Sequence, residues 1–318
     1  MKLVITIDTE EDNWGSYSLT DYTIENIKKI PSLQELFDQF HVKPTYLLAY
    51  PVARDEKAAS VLREILETGR CEIGAHCHPW NTPPFVENMT RKNTMLCNLP
   101  ADLQYQKIQS LHEMIKAKFG SAPVSFRAGR WAFSQEVARN LQRLGYKVDT
   151  SVTPYTDWRD YHGANFVEMS PMPFRIWSER LVDQSPNGHL LEVPATIGFL
   201  QRNFAVAGYL HKMLSRKPAK HLRLIGILSR LRLLNRVWLS PEVSDSEKMI
   251  NLIHSMNANG ASIINMVFHS SCLKAGLTPY TRTKEDERRL IQRIKDVLIF
   301  ARENGIESIK LSEAQGLG

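Results

Sequence analysis

Short apolar runs alternate along the chain with longer stretches whose apolar residues recur at helical spacing. The runs are Leu3 to Asp8, Thr45 to Tyr50, Glu72 to His76, Val124 to Ala128, Lys147 to Ser151, Leu190 to Thr196, Ile263 to His269 and Ile306 to Leu311. Their length and β-branched content read as strands. Between them, Ser134 can cap a helix through Leu144 that stops at Gly145, Ser244 or Asp245 begins one ending at Gly260, and Thr283 caps one running to Gly305. The alternation repeats with no Pro/Gly/Ser linker, internal repeat or low-complexity segment. It predicts one α/β unit over residues 1–318, a (β/α) barrel of about seven strands, rather than two domains.

Composition adds little to this picture. The 318 residues are 43% hydrophobic and 23% charged, ordinary for a globular chain able to build a sizeable core. The apolar start from Met1 to Ile7 is too short for an export signal and runs into acids, and no stretch approaches the roughly 20 apolar residues that span a bilayer. The expected location is therefore the cytoplasm or the inner face of the membrane. There Cys71, Cys77, Cys97 and Cys272, none in a Cys-x-x-Cys pair, are expected reduced, without a disulfide frame or structural zinc.

Charge changes the picture in one place. The net +6 is modest, but from Phe204 to Pro241 there is no acid, while Lys212, Arg216, Lys217, Lys220, Arg223, Arg230, Arg232 and Arg236 fall among Leu, Ile and Trp residues. The segment reads as an insertion at about 203–241, and the spacing of Leu222, Ile225, Leu228, Leu231 and Leu234 predicts an amphipathic helix whose other face is cationic. Such a helix packs on the barrel, rests on anionic lipid through 205–239, or grips an acidic glycan. A nucleic-acid partner is not expected, because stacking aromatics are lacking beyond Trp238.

The candidate chemistry lies at strand ends. Asp8, His76, Arg127, Asp149, Glu192 and His269 each fall near the C-terminal end of a predicted strand, and in an α/β barrel those ends share one mouth. In extended chain Asp8 and Glu10 share a face, as do His76 and His78, while Cys77 points away. Two neutral imidazoles and a carboxylate with open positions suit a catalytic divalent ion: zinc, or cobalt, nickel, manganese or iron. Arg127 can orient a carboxylate base and keep it ionised. His269 can donate a proton to a leaving group if a carboxylate such as Asp149 holds its other nitrogen. Each signal also has a plain structural reading, as solvated acids, packing histidines or a surface arginine.

Taken in order, these motifs resemble the polysaccharide deacetylases, the NodB-homology group also called carbohydrate esterase family four. Thr6-Ile7-Asp8-Thr9-Glu10 is similar to the first motif, Glu72-Ile73-Gly74-Ala75-His76 with His78 to the second, and Phe126-Arg127-Ala128-Gly129-Arg130-Trp131 to the third. Lys147-Val148-Asp149-Thr150-Ser151 is similar to the fourth and Val267-Phe268-His269-Ser270 to the fifth. The resemblance implies a distorted (β/α) barrel and removal of N- or O-acetyl from an amino sugar or glycan. Asp8 would be the general base paired with Arg127, and Glu10, His76 and His78 the metal ligands. His269 would be the general acid, oriented by Asp149.

Two departures stand out. Thr9 separates the two acids that are adjacent in the family, which leaves Asp8 or Glu10 as the ligand, and Trp80 occupies the position of the family's second histidine. The phrases His76-Cys77-His78-Pro79-Trp80 and Thr278-Pro279-Tyr280 are similar to a branch from bacterial surface-polysaccharide clusters, which implies a surface-polysaccharide precursor; a lipid-linked sugar is the substrate expected if the basic segment rests on lipid. A deformylase or linear-amide hydrolase would share every motif, and a carbohydrate-binding protein without turnover would keep the barrel.

Overall fold

The structure is a computed structural model that describes residues 1–318 apart from 13–14, 19, 178–179, 185–188, 216–223, 232 and 318. Its strands are β1 (Lys2–Thr9), β2 (Thr45–Leu48), β3 (Glu72–Cys77), β4 (Ser125–Ala128), β5 (Val148–Asp149), β6 (Phe174–Trp177), β7 (Arg180–Gln184), β8 (Leu190–Glu192), β9 (Ile197–Phe199), β10 (Arg236–Trp238), β11 (Ile263–His269) and β12 (Glu307–Ser308). Its helices are α1 (Ile30–Gln39), α2 (Tyr50–Arg54), α3 (Glu56–Glu67), α4 (Ala101–Phe119), α5 (Gln135–Arg143), α6 (Phe204–Ser215), α7 (Leu224–Arg230), α8 (Ser246–Ala258) and α9 (Lys284–Glu303).

Among the described residues seven strands run parallel in the order β11-β1-β2-β3-β4-β5-β8, forming a distorted (β/α) barrel. The ends of that row are joined by irregular chain. Asn265 N donates to Thr196 Oγ1 at 2.7 Å, Leu239 N to the Thr196 carbonyl at 2.8 Å, and Val267 N to the Leu239 carbonyl at 3.1 Å. The run Leu190 to Thr196, expected as one strand, stops at Glu192. Pro194 lacks the N–H that a ladder needs, and the chain resumes as β9, which pairs antiparallel with β10. The antiparallel pair β6–β7 beside β8 was not expected from the sequence.

Local chemistry sets the helix starts. Ser134 accepts from Val137 N, Asp245 from Lys248 N, and Thr283 with Asp286 forms a capping box at α9. Helix α9 then buries Leu290, Ile294, Val297, Leu298 and Ala301 as one stripe.

In the segment 203–241, expected as an insertion, the described helices are α6 and α7. Helix α7 ends at Arg230, and Leu234 is buried beyond it, so the expected single helix through Leu234 is broken; Leu222 lies outside the described residues. Helix α6 buries Phe204, Ala207 and His211, while Val206, Tyr209, Leu210 and Met213 face outward.

The period of two along the strands explains where polar chemistry sits. Val4, Thr6 and Asp8 share a face of β1, and Ile263, Asn265, Val267 and His269 share one of β11. At one end Val4, Val148, Leu191 and Ile263 pack with Leu311 and close the barrel. One layer up, Thr6 Oγ1 donates to Asn265 Oδ1 at 3.0 Å, and above that the same faces carry Asp8 and His269. The barrel interior thus passes from apolar to hydrogen-bonded to ionisable toward the C-terminal strand ends.

Candidate metal centre and active site

Glu10, His76 and His78 bring one ligand atom each to within 4.8 Å of the others. His76 Nε2 lies 3.5 Å from Glu10 Oε2, and His78 Nε2 lies 3.4 Å from the same oxygen. Metal–ligand bonds of about 2.0–2.2 Å in a tetrahedron separate the ligands by about 3.3–3.6 Å, so both glutamate–histidine spacings fit one small divalent ion. His76 Nδ1 faces the Arg127 carbonyl at 3.2 Å, which puts the ring proton there and leaves the Nε2 lone pair toward Glu10. Burial holds His76 below the ordinary imidazole pKa, hence neutral near pH 7. Glu10 is pushed up to about 7, by burial first, with His269 and His78 opposing. A bound cation would restore its charge.

His78 is held in place by its surroundings. Its ring stacks on Trp80 with centroids 4.1 Å apart, and its Nδ1 lies 3.8 Å from Glu11 Oε1. A Cβ at Gly129 would sit 1.9 Å from His78 Cδ2, so only glycine leaves room for the ring there. Glu11 also accepts from Trp80 Nε1 at 3.2 Å and Asn81 Nδ2 at 2.8 Å. The loop after His78 is tied to α4 by Lys107, a fully buried lysine. Its Nζ donates to the carbonyls of Pro79, Thr82 and Pro84 and meets Glu87 at 2.8 Å.

Asp8 stands beside this cluster with a different partner. Arg127 Nη1 donates to Asp8 Oδ1 at 2.6 Å, and the guanidinium is fixed in turn by Thr150 O at 2.9 Å and by Thr6 Oγ1. Burial alone would raise the Asp8 pKa, but Arg127 and then His76 and His269 overcome it and hold the carboxyl at about 2. Asp8 Oδ2 is left facing His269 Nε2 at 3.6 Å and His76 Nε2 at 3.9 Å.

His269 is held by Glu242, a residue the sequence reading did not single out. Glu242 Oε1 accepts from His269 N at 2.6 Å and faces Nδ1 at 3.0 Å, with Oε2 at 3.1 Å. Burial disfavours the imidazolium, yet Glu242, Glu10 and Asp8 raise the His269 pKa to about 10, so the ring carries both protons at neutral pH.

The expected pairing of Asp149 with His269 is corrected. Asp149 is fully buried across the β5–β8 register from Glu192, and its oxygens accept from Ser151 N at 3.0 Å and Ser151 Oγ at 2.8 Å. Burial and then the Asp149 carboxylate push the Glu192 pKa well upward. Glu242 had no motif to announce it: it follows Pro241 in a loop, and only the tertiary fold brings it to β11.

These groups open into a cleft lined by Tyr17, Trp80, Trp131, Trp158, Tyr161 and Tyr280, with Arg130 at one side. Arg130 and Trp131 both adopt left-handed backbone at φ +56° and +59°, a conformation that costs non-glycine residues energy and recurs at functional sites. The aromatic walls suit the apolar faces of sugar rings, and the convergent polar floor suits one reacting bond.

No family model matches the chain. A peptidoglycan deacetylase of Helicobacter pylori is 24% identical over 170 residues, 52% of this chain, and the match spans about half the relative's length, 52%. Among solved structures, a Mycobacterium smegmatis protein assigned as a polysaccharide deacetylase aligns over 99% of this chain and 89% of its own, at TM-score 0.57 and 16% identity. The 4-alpha-glucanotransferase of Thermococcus litoralis aligns over 99% of this chain but 40% of its own, at TM-score 0.55 and 12% identity, so the fold serves other sugar chemistry too. Over about half its length the chain is thus similar in sequence to a peptidoglycan deacetylase, and it shares the barrel fold of a protein assigned as a polysaccharide deacetylase.

Proposed function

We propose that this protein is a metal-dependent hydrolase that removes an acyl group, acetyl by preference, from the nitrogen or oxygen of an amino sugar or glycan. The observation that carries the reading is the convergence of three units at one cleft: the Glu10–His76–His78 cluster, the Asp8–Arg127 pair and the His269–Glu242 pair. Asp8, kept ionised by Arg127, takes the proton of the attacking water. His269, kept as an imidazolium by Glu242, delivers a proton to the departing sugar nitrogen or oxygen, a step for which a positioned acid contributes about a hundredfold or more. Glu10, His76 and His78 would hold zinc or a similar divalent ion, which supplies polarisation of the acyl carbonyl and acidification of water.

The test is release of small acids from acylated amino sugars and glycans by the zinc-loaded protein. Acetate release that falls at least a hundredfold in both Asp8→Asn and His269→Gln supports the reading. Formate in its place would move the protein to the deformylases, and tight sugar binding without release to the non-catalytic carbohydrate binders.

The substrate we favour is a lipid-linked precursor of a surface polysaccharide, met at the inner face of the membrane. Support comes from the acid-free stretch between Phe204 and Pro241 and from the outward Val206, Tyr209, Leu210 and Met213 of α6. No described helix is long and apolar enough to cross a membrane, so contact would be peripheral. Flotation with vesicles containing anionic lipid, lost in Tyr209→Glu, is expected; failure to float would set this location aside.

A further inference from the structure

The cleft has a second arm. A cavity of about 460 Å³ adjoins the first across Asp8, Trp131, Trp158, His269 and Tyr280 and runs toward the β9–β10 pair, where Arg236, Trp238, Ser240, Ser244 and Lys248 line it. Glu242 lines it as well, but its carboxylate is engaged by His269. Lys248 is paired with Asp245 at 2.5 Å.

Arg236 is the unusual member. Its Nη1 donates to the Tyr155 carbonyl at 2.5 Å and to Thr156 Oγ1 at 3.1 Å, both uncharged acceptors. Among the described residues no carboxylate lies within ion-pair distance of it, and its Nε and Nη2 make no hydrogen bond. Burial alone accounts for the downward pull on its pKa, with no acid offsetting it. Even a partly buried guanidinium without a counter-ion is costly, because charges leave water cheaply only when paired. The free edge offers two N–H groups in the fork geometry that grips an oxyanion from two sides.

We propose that this arm is an oxyanion subsite, in which Arg236 binds a phosphoryl or carboxylate group borne by the substrate next to the sugar that loses its acyl group. The proposal rests on the deacylase reading for the word substrate, but binding itself can be measured without turnover. Trp131 and Trp238, in edge contact with ring centroids 6.0 Å apart, would together form one wall beside the sugar that lies between the anion and the reacting bond.

Calorimetric titration of the zinc-loaded protein with N-acetylglucosamine 1-phosphate, glucuronate and N-acetylglucosamine separates the sources. Tighter binding of the phosphate sugar than of the neutral sugar, by about tenfold or more, assigns a phosphoryl group; the same preference for glucuronate alone assigns a carboxylate. Either preference is expected to disappear in Arg236→Gln and to persist in Arg236→Lys, with thermal unfolding checking that both variants fold. No preference for either anion in the wild-type protein overturns the proposal whatever the variants do, as does a preference unchanged in a folded Arg236→Gln. Acetate release from neutral acetylated glycans alongside such a null result would sink the subsite and leave the deacylase reading standing. Anion binding lost in Arg236→Gln without release of any acid would do the reverse.

Discussion

Glu242 and His269 meet through three contacts, one from the backbone amide at 2.6 Å and two from the ring nitrogen Nδ1 at 3.0 and 3.1 Å. The pair fixes which nitrogen faces Asp8 and keeps the ring charged. In Glu242→Gln the main force that raises the His269 pKa to about 10 is gone, so the protonated, proton-donating form is lost at lower pH. The alkaline limb of kcat against pH is expected to move down toward the ordinary imidazole value, with activity near pH 8 falling about ten- to a hundredfold. An unchanged pH profile would deny Glu242 its positioning role.

Glu192 gives a contrasting expectation. Its carboxyl binds its proton more tightly in the folded chain than in the unfolded one, so its contribution to stability is full below the ordinary value of 4.5 and declines as pH rises above it. Glutamine has the shape of the protonated acid. Glu192→Gln should therefore change stability at neutral pH by less than about 1.5 kcal/mol and flatten that decline, read from denaturant unfolding between pH 4 and 7. A loss of about 3–5 kcal/mol would mean that the acid is ionised in the fold.

Much of this arrangement was legible in the sequence because it depends on local rules. The period-two faces of β1 and β3 put Asp8 with Glu10, and His76 with His78, on common sides. Parallel strands then deliver their C-terminal ends to one mouth, and the caps at Ser134, Asp245 and Thr283 act on their own helices. What escaped depends on distant chain. Asp149 was expected to serve His269, but β5 is two residues long and its acid pairs across the register with Glu192. Glu242 sits in a loop with no periodicity to read. Lys107, on a helix, looks like any exposed lysine until the loop carbonyls close over it.

Gly129 tests the fit of His78. A methyl group at that position cannot coexist with the ring as placed, since its carbon would lie 1.9 Å from Cδ2 and 2.8 Å from the Cys77 carbonyl oxygen. Gly129→Ala is expected to fold but to weaken zinc binding about ten- to a hundredfold, measured by competition with a chromogenic chelator. Unaltered affinity would show that His78 is not held there as a ligand.

Lys107 tests the support beneath the loop. Replacing it with Met removes the charge while keeping much of the stem, and leaves Glu87 without its counter-ion and three carbonyls without their buried donor. Lys107→Met should lose about 3–5 kcal/mol in denaturant unfolding, and the loop from Pro79 to Glu87 should become the first site of limited proteolysis. Stability within about 1 kcal/mol of wild type would show the lysine to be dispensable.

The central claim is that Glu10, His76 and His78 hold one divalent ion at the reacting centre. Zinc content per chain, measured after loading and exhaustive dialysis in wild type, Glu10→Ala, His76→Ala and His78→Ala, addresses it directly. The account expects close to one ion in the wild type and far less in each variant. No retained metal in the wild type, or equal retention in all four proteins, would contradict it.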